Sequence, residues 1–152
     1  MGKKSKLPLI LGGAFLVLVL AISAAFMTGQ QSPLFASGSV SIAPELEASA
    51  KGIHTLYIVA LPVDGGRMPL GAARFNINND AKGKLLDFVL TPETMQLMPG
   101  ANGRMPERFA IKARLDTDGA GGTDQPGDLT GIADAVDIGS REVRITISSA
   151  VK

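Results

Sequence analysis

The sequence predicts a mainly β protein: a single N-terminal transmembrane helix, then an antiparallel β-sandwich of about seven strands with one short helix. Three observations carry this. Residues Leu7 to Met27 form an apolar run without a single charge. From Ala36 onward the apolar residues recur with a period of two. Between these runs lie turn signals built from Gly, Pro, Asn and Asp.

The first run sets the topology. At about 1.5 Å rise per residue, some twenty helical residues cover roughly the 30 Å hydrocarbon core of a bilayer. Lys3, Lys4 and Lys6 precede the run and no basic residue follows it until Lys51, an asymmetry that keeps the amino end in the cytoplasm. Within it, Gly12, Gly13 and Ala14 supply a small-residue face on which another helix could pack closely. Ser23 and Ala25 also suit the −3 and −1 positions of a signal-peptide cut before Phe26, but the run is longer than a usual signal core. The organisation expected is therefore a basic cytoplasmic terminus at 1–6, a membrane helix at 7–27, a linker at 28–35 and an exported domain at 36–152.

Successive side chains of a strand point to opposite faces, so alternation marks a strand with one buried and one wet face. Val40 and Ile42 alternate with Ser39 and Ser41, and Phe75 and Ile77 with Arg74 and Asn76. Leu86, Phe88 and Leu90 flank Asp87 and Val89. Phe109, Ile111, Ala113 and Leu115 interleave with Lys112, Arg114 and Asp116, and Val143, Ile145 and Ile147 with Arg144 and Thr146. Ile53–Val63 is apolar on both faces, as a central strand would be, and a further short strand is expected at Ile132–Ile138. Pro44–Ala50, with proline first and Glu45 and Glu47 in the opening turn, predicts the short helix. No internal repeat of the solenoid kind is present.

Composition narrows the function. After the anchor the chain carries twelve basic and fourteen acidic residues, a net −2, without the concentrated basic footprint of a nucleic-acid binder. With no cysteine there is no disulfide framework, thiol chemistry, lipoprotein acylation site or covalent haem attachment. The single histidine, His54, has no recognisable nucleophile or acid partner, so no catalytic set can be assembled and no enzyme is expected.

Other chemistry is thin. Met68, Met95, Met98 and Met105 are the residue type that ligates Cu(I), but more often fills core gaps or adaptable surfaces. Asp116, Asp118, Gly121 and Asp124 fall on positions 1, 3, 6 and 9 of a calcium loop, yet Ala120 and Gly127 occupy positions that need oxygen ligands. A glycine-rich turn is the simpler reading, and no cofactor or metal site is expected. Arg108, Lys112, Arg114 and Arg144 could form a basic strip on the wet face of one sheet.

Several segments, in order, carry a resemblance. Gly38–Leu46 reads GSVSIAPEL, followed by Leu56–Ala60, Met68-Pro69-Leu70, Met95–Gly100 as MQLMPG, Ala113-Arg114 and Gln125–Gly131 as QPGDLTG. Their order and spacing resemble the C-terminal periplasmic domain of the c-type cytochrome biogenesis family CcmI, also called CycH, over nearly all of 36–152. The resemblance implies an inner-membrane protein of bacterial cytochrome c maturation, a chaperone of apocytochrome and not an enzyme. Longer members carry two membrane helices and tetratricopeptide repeats, whereas this sequence shows one apolar run and no such repeats.

The resemblance thus implies a single-pass, periplasm-facing accessory or chaperone protein, with partners among membrane proteins of cytochrome c maturation. The alternatives are a structural subunit of a respiratory membrane complex and a periplasmic metal-binding module. The candidate interaction surface is Met68, Pro69, Met95, Met98, Gln125, Pro126 and Asp128. Proline there stiffens turns and methionine, if exposed, makes an adaptable docking surface.

Overall fold

A computed structural model describes residues 32–66, 68–77, 81–101 and 104–152. The expected membrane helix at 7–27, with Gly12, Gly13 and Ala14, lies outside the described residues; among those described no helix is long and apolar enough to cross a membrane.

The described chain is built from strands: β1 (Ala36–Ile42), β2 (Thr55–Pro62), β3 (Gly71–Asn76), β4 (Lys84–Leu90), β5 (Gln96–Leu97), β6 (Arg108–Asp116), β7 (Leu129–Asp137), β8 (Ser140–Ile147) and β9 (Ser149–Ala150). They form two sheets, a three-stranded one in the order β4-β1-β8 and a six-stranded one in the order β5-β3-β2-β6-β7-β9. Inward residues of both sheets share one core, with Val40, Phe88, Leu90 and Ile145 from the small sheet and Leu56, Ile58, Phe109 and Ile111 from the large one. Each comes from an alternating or doubly apolar run, so burial of these faces follows from the pattern.

Each expected run becomes a strand, but three expectations change. All pairings in the large sheet are antiparallel; in the small sheet β1 pairs antiparallel with β4 and parallel with β8. Alternation assigns a face and not a partner, so it could not foresee this. The short helix contracts to a single 3-10 turn, Pro44–Leu46, because Glu47 closes back on Pro44 and the chain then turns through Gly52 towards β2. The distal part of the outward face of β6 is not wet: Arg114 and Asp116 are buried beneath the Thr117–Asp128 loop.

The sheets come closest where β7 crosses β8. A β carbon on Gly131 would lie 2.1 Å from the Thr146 carbonyl oxygen, so only glycine fits there.

Pairing also defines two ends. At the proximal end, where Ser32 and Phe35 lead into β1, Ala36 pairs with Leu90 and with Ser140, and the Gly139 N–H donates to the Phe35 carbonyl at 2.8 Å. Following the register across the large sheet, Asp137 pairs with Arg108, Phe109 with Pro62, and Ala60 with Gly71. The β2–β3 and β7–β8 turns therefore lie at this end. The distal end carries the Pro44–Leu46 turn, the Thr117–Asp128 loop and the C-terminal residues.

Candidate functional site

The Thr117–Asp128 loop and the outer face of the large sheet enclose a groove of about 800 Å3. Its floor is Tyr57, Val59 and Leu61 of β2 with Ala72 of β3; one wall is Pro69, Gln96 and Met98, and the other is loop residues Ala120–Asp124. The Leu70 N–H donates to the Ala60 carbonyl and the Met98 N–H to the Leu70 carbonyl, which sets Pro69 and Met98 side by side along the sheet.

Arg114 holds the loop wall in place. It is only 2% exposed, on β6 between the core residues Ala113 and Leu115. Its Nη2 donates to Asp116 Oδ2 at 2.7 Å, and its Nη1 donates to the Gly122 carbonyl at 2.8 Å and to Asp124 Oδ1 at 3.1 Å. The guanidinium carbon stands 5.4 Å from the centroid of the Tyr57 ring, within cation–π range. Its Nε lies 3.7 Å from Asp128 Oδ2, an ion pair too long for a hydrogen bond, and is the buried side-chain nitrogen without a partner among the described residues.

The carboxylates fix the loop backbone in turn. Asp116 accepts from the Gly119 N–H at 2.7 Å and Asp118 from the Ala120 N–H at 2.9 Å, the side-chain-to-backbone turns that aspartate favours. Asp128 accepts from the Thr117 N–H and hydroxyl at 3.0 and 2.8 Å and from the Gln125 N–H at 2.9 Å. Lys112 Nζ bridges both oxygens of Asp124 at 2.7 and 2.9 Å. Gly121 sits at φ 76°, where other side chains are strained, and a β carbon there would press on the Tyr57 hydroxyl at 3.2 Å, so glycine suits this close approach of the loop to β2.

Electrostatics follow from these contacts. Burial pushes the Asp124 and Asp128 carboxyls up, but hydrogen bonds outweigh it and hold both below the ordinary carboxylate range. For Asp124 the donors are Lys112 and Arg114; for Asp128 they are the Gln125 and Thr117 backbones and the Thr117 hydroxyl.

The sequence candidates separate here. Pro69 and Met98 line the groove, and Met68 beside them is 65% exposed. Gln125 and Pro126 are exposed on the loop. Met95 and Asp128 are buried and do not belong to a surface. The Met95 thioether fills the space left by the missing side chain of Gly71, and Asp128 is the hub that ties Thr117 to Gln125. Met105 is buried and His54 exposed, just ahead of β2.

The calcium-loop reading gives way to internal pairing, since Asp116 and Asp124 are already neutralised by Arg114 and Lys112. Among the described residues no group of three or more His, Cys, Asp or Glu could hold a metal ion. Nor is there one basic strip. Arg114 is buried, Lys112 and Arg108 are paired with Asp124 and Asp137, and Arg144 belongs to β8 in the other sheet. The role of Arg114 escaped the sequence reading. Its signal was present: a basic residue on a strand, followed by a loop with aspartates at 116, 124 and 128.

Residues 37–148 match the family described as the cytochrome c-type biogenesis protein H Ig-like domain. The chain belongs to that family. The match spans β1 through β8 and includes both walls of the groove, and it ties this Ig-like domain to cytochrome c maturation. No curated protein and no solved structure matches.

Proposed function

We propose that this protein is a membrane-anchored, periplasm-facing, non-enzymatic accessory or chaperone protein of c-type cytochrome maturation. The observation that carries this reading is the family match over residues 37–148. The apolar run at 7–27 and the lysines before it support the anchor and its orientation. The anchor confines the domain to the membrane plane and raises its effective concentration beside membrane partners. The groove supports a binding role, because it presents contact chemistry: aliphatic Val59 and Leu61, the Met98 thioether and the Gln96 amide. Exposed Gln125 and Pro126 extend the surface available to a protein partner.

Deleting the gene tests the reading. Holocytochrome c, measured by haem staining of membranes and periplasm, falls while apocytochrome synthesis is unchanged. Unaltered holocytochrome would refute it. A second reading, a structural subunit of a membrane complex, is favoured by Gly12, Gly13 and Ala14 in the apolar run. Replacing 7–27 with an unrelated membrane helix separates the two: a tether survives the exchange, and a packing helix does not.

A further inference from the structure

Most of the large apolar side chains that the fold leaves in solvent stand at one end of it. Among the described residues the exposed large hydrophobics are Val63 at 52%, Met68 at 65%, Val89 at 52%, Ile132 at 51% and Ile138 at 41%. Four of these five are proximal: Val63 and Met68 in the β2–β3 turn, Ile138 in the β7–β8 turn and Val89 next to the last residue of β4. Apolar residues left exposed at one end of a fold make that end a candidate contact surface.

The chain itself says what lies opposite. It enters the domain at this same end, where the Ser32 hydroxyl donates to Glu93 and the Phe35 N–H to the Leu90 carbonyl. Residues 28–35 separate the apolar run from β1. Even fully extended, eight residues reach no more than roughly 28 Å. With the run at 7–27 read as a retained anchor, that reach would keep the proximal turns near the surface from which the chain emerges. Charge does not oppose contact. Among the described residues the same end carries Asp64, Glu93, Glu107, Asp137 and Glu142 against Arg104, Arg108 and Arg141, a mixed surface with a small acidic excess.

We propose that the proximal end of the domain rests on the lipid bilayer, with Val63, Met68 and Ile138 seated at the headgroup boundary. This rests on the reading of 7–27 as a retained anchor. Each side chain alone would bind lipid weakly, but the tether makes the contact intramolecular, so a small apolar area suffices. The consequence is orientation: the Thr117–Asp128 loop is directed away from the membrane.

The chain has no cysteine, so single labels are unambiguous. Val63→Cys, Met68→Cys, Ile138→Cys, Ile132→Cys and Asp118→Cys variants of the full chain are spin-labelled and reconstituted in phosphatidylcholine vesicles, with and without phosphatidylglycerol. Collision with oxygen and with a water-soluble nickel chelate is then measured. Labels at 63, 68 and 138 should lose several-fold in nickel collision and gain in oxygen collision, equally in both lipids. Labels at 118 and 132 should stay water-accessible. Water access at 63 and 138 equal to that at 118 overturns the proposal. So does protection seen only with anionic lipid, only after adding membrane-protein extract, or only at high protein-to-lipid ratio, which would indicate charge, a protein partner or a second copy. Flotation of the same vesicles after carbonate washing reads the anchor separately. A chain that floats but is wet at its proximal turns defeats this inference alone, whereas one that does not float defeats the anchor beneath it.

Discussion

At the distal end, the Thr117–Asp128 loop closes over the sheet on a buried guanidinium, whereas at the proximal end the β2–β3 and β7–β8 connections leave apolar side chains in water. The contrast separates two ways of building a surface. A loop rich in glycine has no large apolar side chains with which to fix itself, so it depends on directional bonds among Arg114, Lys112 and four aspartates, Asp116, Asp118, Asp124 and Asp128. Such a network specifies a conformation closely and fails when one member is lost. The proximal connections carry no such network among the described residues, and their exposed apolar side chains are available for contact.

The comparison can be broken most severely at Arg114. Arg114→Met leaves Asp116 and Asp128 buried without their cation, and a loss of about 3–5 kcal/mol is expected. Urea unfolding measures the loss, and limited proteolysis should show new cleavage between residues 117 and 128. Asp128→Ala removes the acceptor of the Thr117 and Gln125 backbone N–H groups; the expected cost is about 1–3 kcal/mol by the same unfolding assay.

Acid should sharpen the comparison. Asp124 and Asp128 titrate below their ordinary value in the folded state, so their contribution is complete above the unfolded carboxylate range, near pH 4. It is lost as the pH falls through the folded values. Unfolding followed from pH 6 down to pH 2 should show destabilisation that Asp124→Asn reduces. The smallest effect is expected at the proximal turns: Val63→Ser and Ile138→Ser should each stay within about 0.5 kcal/mol of the parent, as surface changes do. A larger loss at either site would mean that these side chains serve the fold after all.

The two ends also differed in how readily the sequence announced them. Alternation in Phe109–Leu115 and Val143–Ile147 predicted strands and inward faces correctly, because burial of one face leaves a period of two. The two-residue strands β5 and β9 were invisible, since a pair of residues has no period. Arg114 looked like a solvent-facing residue for the same local reason: alternation reports which face a side chain takes, not whether a later loop returns to cover it. The Met-Pro-Gly segment divided for a similar reason. Met98 lines the groove, but Met95 is drawn inward by the absent side chain of Gly71, more than twenty residues earlier. The apolar run at 7–27, expected from its length and flanking charge to cross a membrane, lies outside the described residues.

One feature of the small sheet governs the order of assembly. β1, the strand nearest the apolar run, lies between β4 and the late strand β8, which it meets in parallel. Its two hydrogen-bonding edges are satisfied by segments about fifty and one hundred residues downstream. As the chain emerges during its synthesis, this first strand therefore waits for nearly the whole domain to follow, its edges open. A chain shortened before Ser140 would leave β1 with an unpaired edge, a site for wrong strand pairing or for recognition by quality control.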